Sequence, residues 1–338
     1  MRAIYSPGRL QGFDSVSWSG DDAGRENGRV EASGAESAEA RDRVGMRATP
    51  PPATLAWMLT RLDAAQLMNI DVMPGGSTAA MHRVTVRRAD GTELTVVLRR
   101  YVVAEVLRES PAVATQEMAA LGLAADAPIP TPELLAADPH ADDTDAPTIV
   151  MSLLTGKPRW EPNRRHEWLE QLVDALIAFH AIEIPEEVNL PAIRRYGQTS
   201  YAPPRWAERP RVWEAAIEVF HEPIPEVDVG FVHRDFHPGN TLWRRNDLTG
   251  VVDWQAACRG PASIDPGHLR MNLLLYNATL AEELRVTWQR RSGTAYHPWA
   301  DVMSIIGFLD NLRDHPPDAA ARRAIETALT DAVGALGR

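Results

Sequence analysis

Two short runs decide how this chain is read: Phe231-Val232-His233-Arg234-Asp235-Phe236-His237-Pro238-Gly239-Asn240 and, after a short interval, Gly250-Val251-Val252-Asp253-Trp254. Each begins with β-forming apolar residues and passes into polar residues, so each reads as a short strand ending in a tight loop. Three oxygen-bearing side chains stand on these loops: Asp235, Asn240 and Asp253. Phosphoryl transfer uses such a set. One carboxylate accepts the proton of an attacking hydroxyl, while an amide and a second carboxylate hold Mg²⁺ against nucleotide phosphates. Asp235 and Asn240 share one loop, and a β-hairpin over 241–254 can return Asp253 to the same place.

The rest of the chain suits such a site. It has 338 residues, enough for two lobes. Apolar residues make up 44% and charged residues 24%, which excludes collagen, wholesale disorder and a disulfide scaffold. No run of apolar residues is long enough to span a bilayer, and Met1-Arg2 is not followed by a secretory h-region. Cys258 is the single cysteine and is expected to be inert, in keeping with a reducing cytoplasm. The net charge of −11 disfavours general binding to nucleic acid or anionic membrane. Lys157 is the only lysine, so any other task that needs a cation falls to arginine.

Residues 1–50 are rich in Gly, Ser, Asp, Glu and Arg without apolar period and are expected to be disordered, with Met46 a candidate translation start. Residues 51–153 are expected to form a small β-rich lobe. A helix is predicted over 54–66, with Leu55, Met58, Leu59 and Leu62 on one face; a hairpin over 81–101 turns at Ala89-Asp90-Gly91-Thr92; a helix covers 111–123; short strands lie at 134–137 and 148–153. Residues 154–338 are expected to be mainly helical, over 165–182, 212–220, 264–291, 299–313 and 319–336, with a long Pro-containing loop at 196–210.

The two motifs together resemble the aminoglycoside phosphotransferase and choline kinase family, small-molecule relatives of the protein kinases. The family's catalytic loop usually reads H-G-D-x-H-x-x-N; here it is His233 to Asn240, with Arg234 in place of Gly. The segment ending in Asp253-Trp254 is similar to the family's metal-binding segment. The resemblance spans roughly residues 55–335. It implies an α+β, bilobal, protein-kinase-like fold and an ATP- and Mg²⁺-dependent transfer of phosphate to a hydroxyl of a small molecule. By the same resemblance Asp235 is the catalytic base, Asn240 and Asp253 are the Mg²⁺ ligands, and His237 stands near the γ-phosphate. Asp265 then braces the catalytic loop and Leu242 floors the adenine site.

The small lobe is expected to complete the nucleotide site. Pro74-Gly75-Gly76-Ser77-Thr78 looks like a phosphate-covering loop, with Gly75, Gly76 and Ser77 closest to the phosphates. Kinases carry a lysine on the third strand. In Val96-Val97-Leu98-Arg99, side chains alternate so that Val97 and Arg99 share a face, which selects Arg99 over Arg100. Glu117 is its expected partner, with Glu105 and Glu109 as alternatives. Val150-Met151-Ser152-Leu153 resembles the hinge that meets adenine, through Met151 and Leu153.

Two other readings compete. A pseudokinase would bind nucleotide without turnover. A metal-dependent hydrolase would use His233, Asp235, His237 and Asp253 as ligands. Acidic residues Asp265, Glu282, Glu283, Asp301, Asp310 and Asp314, with the 196–210 loop, are candidate walls of an acceptor pocket that would suit a polycationic or quaternary amine.

Overall fold

Pro52 starts a helix, where the N–H that proline lacks would have had no partner. In the computed structural model, which describes residues 45–73, 78–225 and 227–338, helix α1 (Pro52–Arg61) ends as Asp63 takes a φ of 50°. Strand β1 (Ala64–Val72) follows at once. The apolar spacing predicts helix as far as Gln66. The structure ends it sooner because Leu67 and Ile70 pair across with Val86 and Val84 of β2 (Ala80–Arg88), and pairing outweighs local propensity. Two register irregularities in β1 break its alternation, which hid the strand from a period-two reading.

Strands β3 (Glu93–Arg100), β4 (Leu134–Asp138) and β5 (Thr148–Ser152) complete an antiparallel sheet of order β1-β2-β3-β5-β4. Its two faces have different partners. Val84, Val86, Val96, Leu98 and Val150 pack against Trp57 and Met58 of α1. Val97, Ile149 and Met151 join the main core beside helix α3 (Val113–Ala124), which follows the short α2 (Ala104–Glu109). Fully burying side chains of this size stabilises the fold by roughly 1.5–3 kcal/mol each, so the sandwiching of this sheet is well supported.

The second half is helical around two small ribbons. Helices α4 (Arg165–His180) and α5 (Pro210–His221) precede β6 (Val229–Val232). The hairpin β7 (Thr241–Arg244) and β8 (Asp247–Val251) leads to β9 (Cys258–Pro261), which returns to pair with β6. Strand β9 carries Gly and Pro and is not legible as a strand in the sequence; it forms because β6 offers it an edge. Helices α6 (Ile264–Tyr276), α7 (Ala278–Ser292), α8 (Trp299–Ile306), α9 (Leu309–Asp314) and α10 (Ala319–Ala335) close the lobe. The predicted helix over 264–291 is thus two, broken where Asn277 caps α7 by accepting from the Leu280 N–H. The architecture is α+β, with a small β-rich lobe and a larger, mainly helical one.

Among the described residues no helix is long and apolar enough to cross a membrane. Residues 1–44 lie outside the described residues; Met46 packs on the core. Cys258 is buried in β9, and burial pushes its thiol up to about 12. The folded protein is therefore expected to resist a thiol-specific reagent at pH 8 and to react once in denaturant, as read by mass. Rapid labelling of the folded chain would contradict this packing.

Candidate active site

The loop after β6 is shaped by one carboxylate. Asp265, in the first turn of α6, is fully buried and accepts the backbone N–H groups of His233 at 2.9 Å and Arg234 at 2.7 Å. His180 of α4 meets the same carboxylate at 2.9 Å. Burial opposes ionisation of Asp265, but the His180 hydrogen bond and these amides outweigh it and hold its pKa below the usual carboxylate value. Asp265 therefore fixes the loop backbone, as the resemblance implies.

His233 is committed at both ring nitrogens. Its Nδ1 accepts from the Asp235 N–H at 3.3 Å, so Nε2 carries the proton and donates to Val252 O at 3.0 Å. Arg234 has a φ of 71°, a conformation that glycine adopts freely. Its guanidinium lies 4.2 Å from the centre of the Tyr196 ring, a cation–π contact that helps offset the backbone cost. Asp253 also has a positive φ, 69°, which Asp tolerates better than most residues.

Asp235 stands at the centre. Asn240 Nδ2 donates to its backbone oxygen at 2.9 Å and to Oδ2 at 3.1 Å, which leaves the Asn240 amide oxygen for another ligand. His268 Nε2 lies 3.0 Å from Oδ1, whereas His237 Nε2 is 3.8 Å away. Burial again opposes ionisation, yet the fields of His237 and His268 and the His268 hydrogen bond hold the Asp235 carboxyl well below its ordinary range. His237 accepts the Gly239 N–H at its Nδ1, 3.0 Å away, and burial lowers its pKa to about 4, so it is neutral at pH 7. Trp160 stacks on its ring.

The second cluster joins the two halves. Val252 N–H bonds to Asn240 O at 2.9 Å, and the next residue, Asp253, meets Arg99 Nη2 through Oδ1 at 2.7 Å. Arg99 also pairs with Glu117 of α3, and Tyr101 donates to the other Glu117 oxygen. Burial disfavours the Arg99 cation, but Glu117 and Asp253 more than restore it, so its pKa rises well above the usual value. Arg100, on the opposite face, instead reaches Asp145 and so plays no part here. Gln116 Nε2 donates to Ala257 O at 2.8 Å and Gln255 Nε2 to Thr78 Oγ1 at 2.9 Å, both bridging the halves.

The remaining predicted residues divide. Met151 shares the Arg99 face of the sheet through β5. Leu242 sits on β7 under the segment that follows Leu153; a Cβ on Gly156, which has φ 129°, would lie 3.1 Å from the Leu242 Cβ. Gly75, Gly76 and Ser77 lie outside the described residues. The acidic wall is corrected. Asp265 and Asp301 are buried, the first against the loop and the second on Arg270, and Asp310 bonds to Thr199 and Arg313, while Glu282 pairs with Arg270 from an exposed position. The loop at 196–210 is likewise anchored, through Gln198 to Gly307 and Trp206 to Leu312. Sequence reasoning missed His268 and Trp160. The spacing Asp265-x-x-His268 on a helix, which places both on one face, was the available signal for the first.

Comparison with known proteins gives the family and the fold. A profile described as "Phosphotransferase enzyme family" matches residues 78–303. Among solved structures, aminoglycoside 2'-phosphotransferase-IIIa bound to GDP is 13% identical with a TM-score of 0.55, over 84% of this chain and 99% of that one. A thermostable mutant of aminoglycoside phosphotransferase APH(4)-Ia with ADP and hygromycin B is 13% identical with a TM-score of 0.54, over 82% and 97%. Macrolide 2'-phosphotransferase MphH from Brachybacterium faecium is 18% identical with a TM-score of 0.50, over 82% and 98%. These likenesses establish the kinase-like fold. No curated protein matches significantly.

Proposed function

Since the chain belongs to the phosphotransferase enzyme family, we propose that it transfers the γ-phosphoryl group of ATP to a hydroxyl of a small molecule. The observation that supports this most is that Asn240 links the two groups: its amide holds the ionised Asp235, and its backbone oxygen accepts the Val252 N–H, next to the Asp253 that pairs with Arg99 and Glu117. In this reading the nucleotide lies between a lobe ending near Leu153 and the helical lobe beyond it. Met151 and Leu153 border the adenine, with Leu242 beneath it.

The donor set fits Mg²⁺. Asn240 has its amide oxygen left over and Asp253 has Oδ2 outside its ion pair, and both are hard oxygen ligands. Among the described residues no cluster of three or more His, Cys, Asp or Glu stands where it could hold a metal, so nucleotide oxygens and water would supply the other ligands. When bound, the ion would neutralise charge on the transferring phosphoryl group. Arg99 anchors phosphate oxygens, and Asp235 orients the acceptor hydroxyl and takes its proton as the new O–P bond forms and the bridging O–P bond breaks. The hydrolase reading has less support, since His233 has no ring nitrogen left for a metal.

The test is ATP turnover with a panel of hydroxyl compounds, including amino alcohols, sugars, aminoglycosides and macrolides. Magnesium-dependent transfer of labelled γ-phosphate to one acceptor is expected. Mg²⁺ is expected to bind detectably only with nucleotide, to be lost in Asp253→Ala and to persist in His237→Ala. Nucleotide binding with no transfer across a broad panel would favour a pseudokinase. Stoichiometric zinc lost on His237→Ala would favour the hydrolase.

A further inference from the structure

His268 has no place in either sequence motif, yet it makes the closest side-chain contact to the Asp235 carboxylate, 3.0 Å from Nε2 to Oδ1. We propose that His268 is the positioning residue of this active site: its Nε2–H fixes the Asp235 carboxylate in the rotamer that receives the acceptor hydroxyl. The proposal rests on the phosphotransferase reading above and adds a residue to it.

Four observations support it. First, the contact is built. His268 is nearly buried, while the Asp235 side chain remains 34% exposed, so one side of the carboxylate is held and another is open to an acceptor. Second, the two carboxylate oxygens have different partners, Oδ1 with His268 and Oδ2 with Asn240. A carboxylate gripped at both ends cannot rotate about its Cβ–Cγ bond without losing one of them. Third, His237, the other imidazole nearby, is spoken for. Its Nδ1 accepts from Gly239, and its Nε2 is too far from Oδ1 for a normal hydrogen bond. Fourth, His268 is on a rigid element. It lies one turn beyond Asp265 on α6, so a single helical turn holds the loop backbone through one side chain and the base through the other. That turn has no room to slide. A Cβ on Gly267 would lie 2.6 Å from the Ala300 Cβ and 2.8 Å from its carbonyl oxygen, which shows how closely α6 and α8 approach there.

The chemistry sets the tautomer. An ionised carboxylate only accepts, so the imidazole nitrogen facing it must carry the proton. His268 is then a donor that does not take the substrate proton. It holds the acceptor of that proton in place. Orientation of this kind is worth up to about 10²-fold in rate for a displacement near 1 Å.

The experiment compares His268→Gln with His268→Leu in the full-length protein. Glutamine Nε2 can stand where the imidazole Nε2 stood and donate to Asp235, whereas leucine fills the space without a donor. The readouts are Mg-ADP affinity by calorimetry and the rate of Mg-ATP turnover, with water as acceptor until a better one is found. His268→Leu is expected to lower kcat about 10–100-fold with Mg-ADP affinity within a factor of two, and His268→Gln to recover most of the rate. Equal loss in both variants would make the role one of packing, and an unchanged rate in His268→Leu would overturn the proposal outright. A second measurement needs no turnover. In ¹⁵N-labelled protein, the His268 imidazole should show the Nε2–H tautomer, and its Nε2 resonance should move in Asp235→Asn more than that of His237. The Nδ1–H tautomer, or a larger response at His237, would also overturn it. Failure of the parent protein to bind Mg-ADP would instead sink the phosphotransferase reading itself.

Discussion

Asp235→Asn is expected to lower kcat for phosphoryl transfer by about 10²–10⁴-fold while Mg-ATP affinity stays near that of the parent. The amide has the size of the carboxylate but cannot accept the hydroxyl proton, and its NH₂ faces either His268 or the Asn240 NH₂ in place of an acceptor. Asn240 keeps its bond to the Asp235 backbone oxygen, and Arg99 and Asp253 bond to each other without this carboxylate, so binding is largely spared. The depressed pKa also carries a pH prediction. A carboxyl whose folded pKa lies below its unfolded value contributes stability above that unfolded value, and the contribution fades as pH falls through the folded one. Asp235 therefore stays ionised through the neutral range, and turnover should show no acid limb from it between about pH 5 and 8. Single-turnover kinetics with ATP in excess, alongside calorimetry of ATP binding, measure the two effects. Near-parental turnover in Asp235→Asn would remove it from the chemistry.

The largest effect on stability is expected at Arg99. Arg99→Met leaves Glu117 buried without its cation, and removing one partner of a buried ion pair costs about 3–5 kcal/mol. Tyr101 still donates to Glu117, which places the loss toward the lower end of that range. The sign with pH follows. Burial already raises the Glu117 carboxyl above its ordinary value and loss of the guanidinium raises it further, so the penalty grows as pH rises above the unfolded value and shrinks as pH falls back toward it. Mg-ATP affinity should fall as well, because Arg99 is the proposed phosphate anchor and also holds Asp253. Arg100→Met is the control. Its partner Asp145 is 30% exposed and can be rehydrated, so the loss is smaller and nucleotide affinity is unaffected. Urea unfolding at two pH values separates the outcomes. A larger cost for Arg100→Met would mean the strand faces are assigned the wrong way round.

His268 shows where sequence reading stopped. Asp235, Asn240 and Asp253 were legible because their spacing is local: two lie on one loop, and a hairpin of fixed reach brings back the third. Arg99 was legible for a related reason. The resemblance to kinases called for a cation on this strand, and strand alternation, with Val97 and Arg99 on one face, selected Arg99 over Arg100, which faces Asp145 instead. The change of period, from alternating segments before residue 153 to helical ones after 165, marked a β-rich part and a helical part, and the resemblance carried by the two motifs implied the bilobal fold.

Other features depended on packing between segments distant in the chain. Strand β1 was hidden because its register irregularities erase the alternation, and β9 because Gly and Pro carry no strand propensity; each exists only through its neighbour. Glu117 was separated from Glu105 and Glu109 only when its side chain was seen to meet Arg99. The six acidic residues looked like a wall for a cation until four of them proved to have partners in the protein. The sequence by itself determined which residue types could carry phosphoryl transfer and on which local elements they stand, since loops, hairpins and strand faces follow short-range rules. Only the tertiary structure decided which side chains hold the base, which carboxylates are already occupied and which helix braces the loop. Those contacts join residues such as Asp235 and His268, or Arg99 and Asp253, whose separation along the chain contains no rule for their meeting in space.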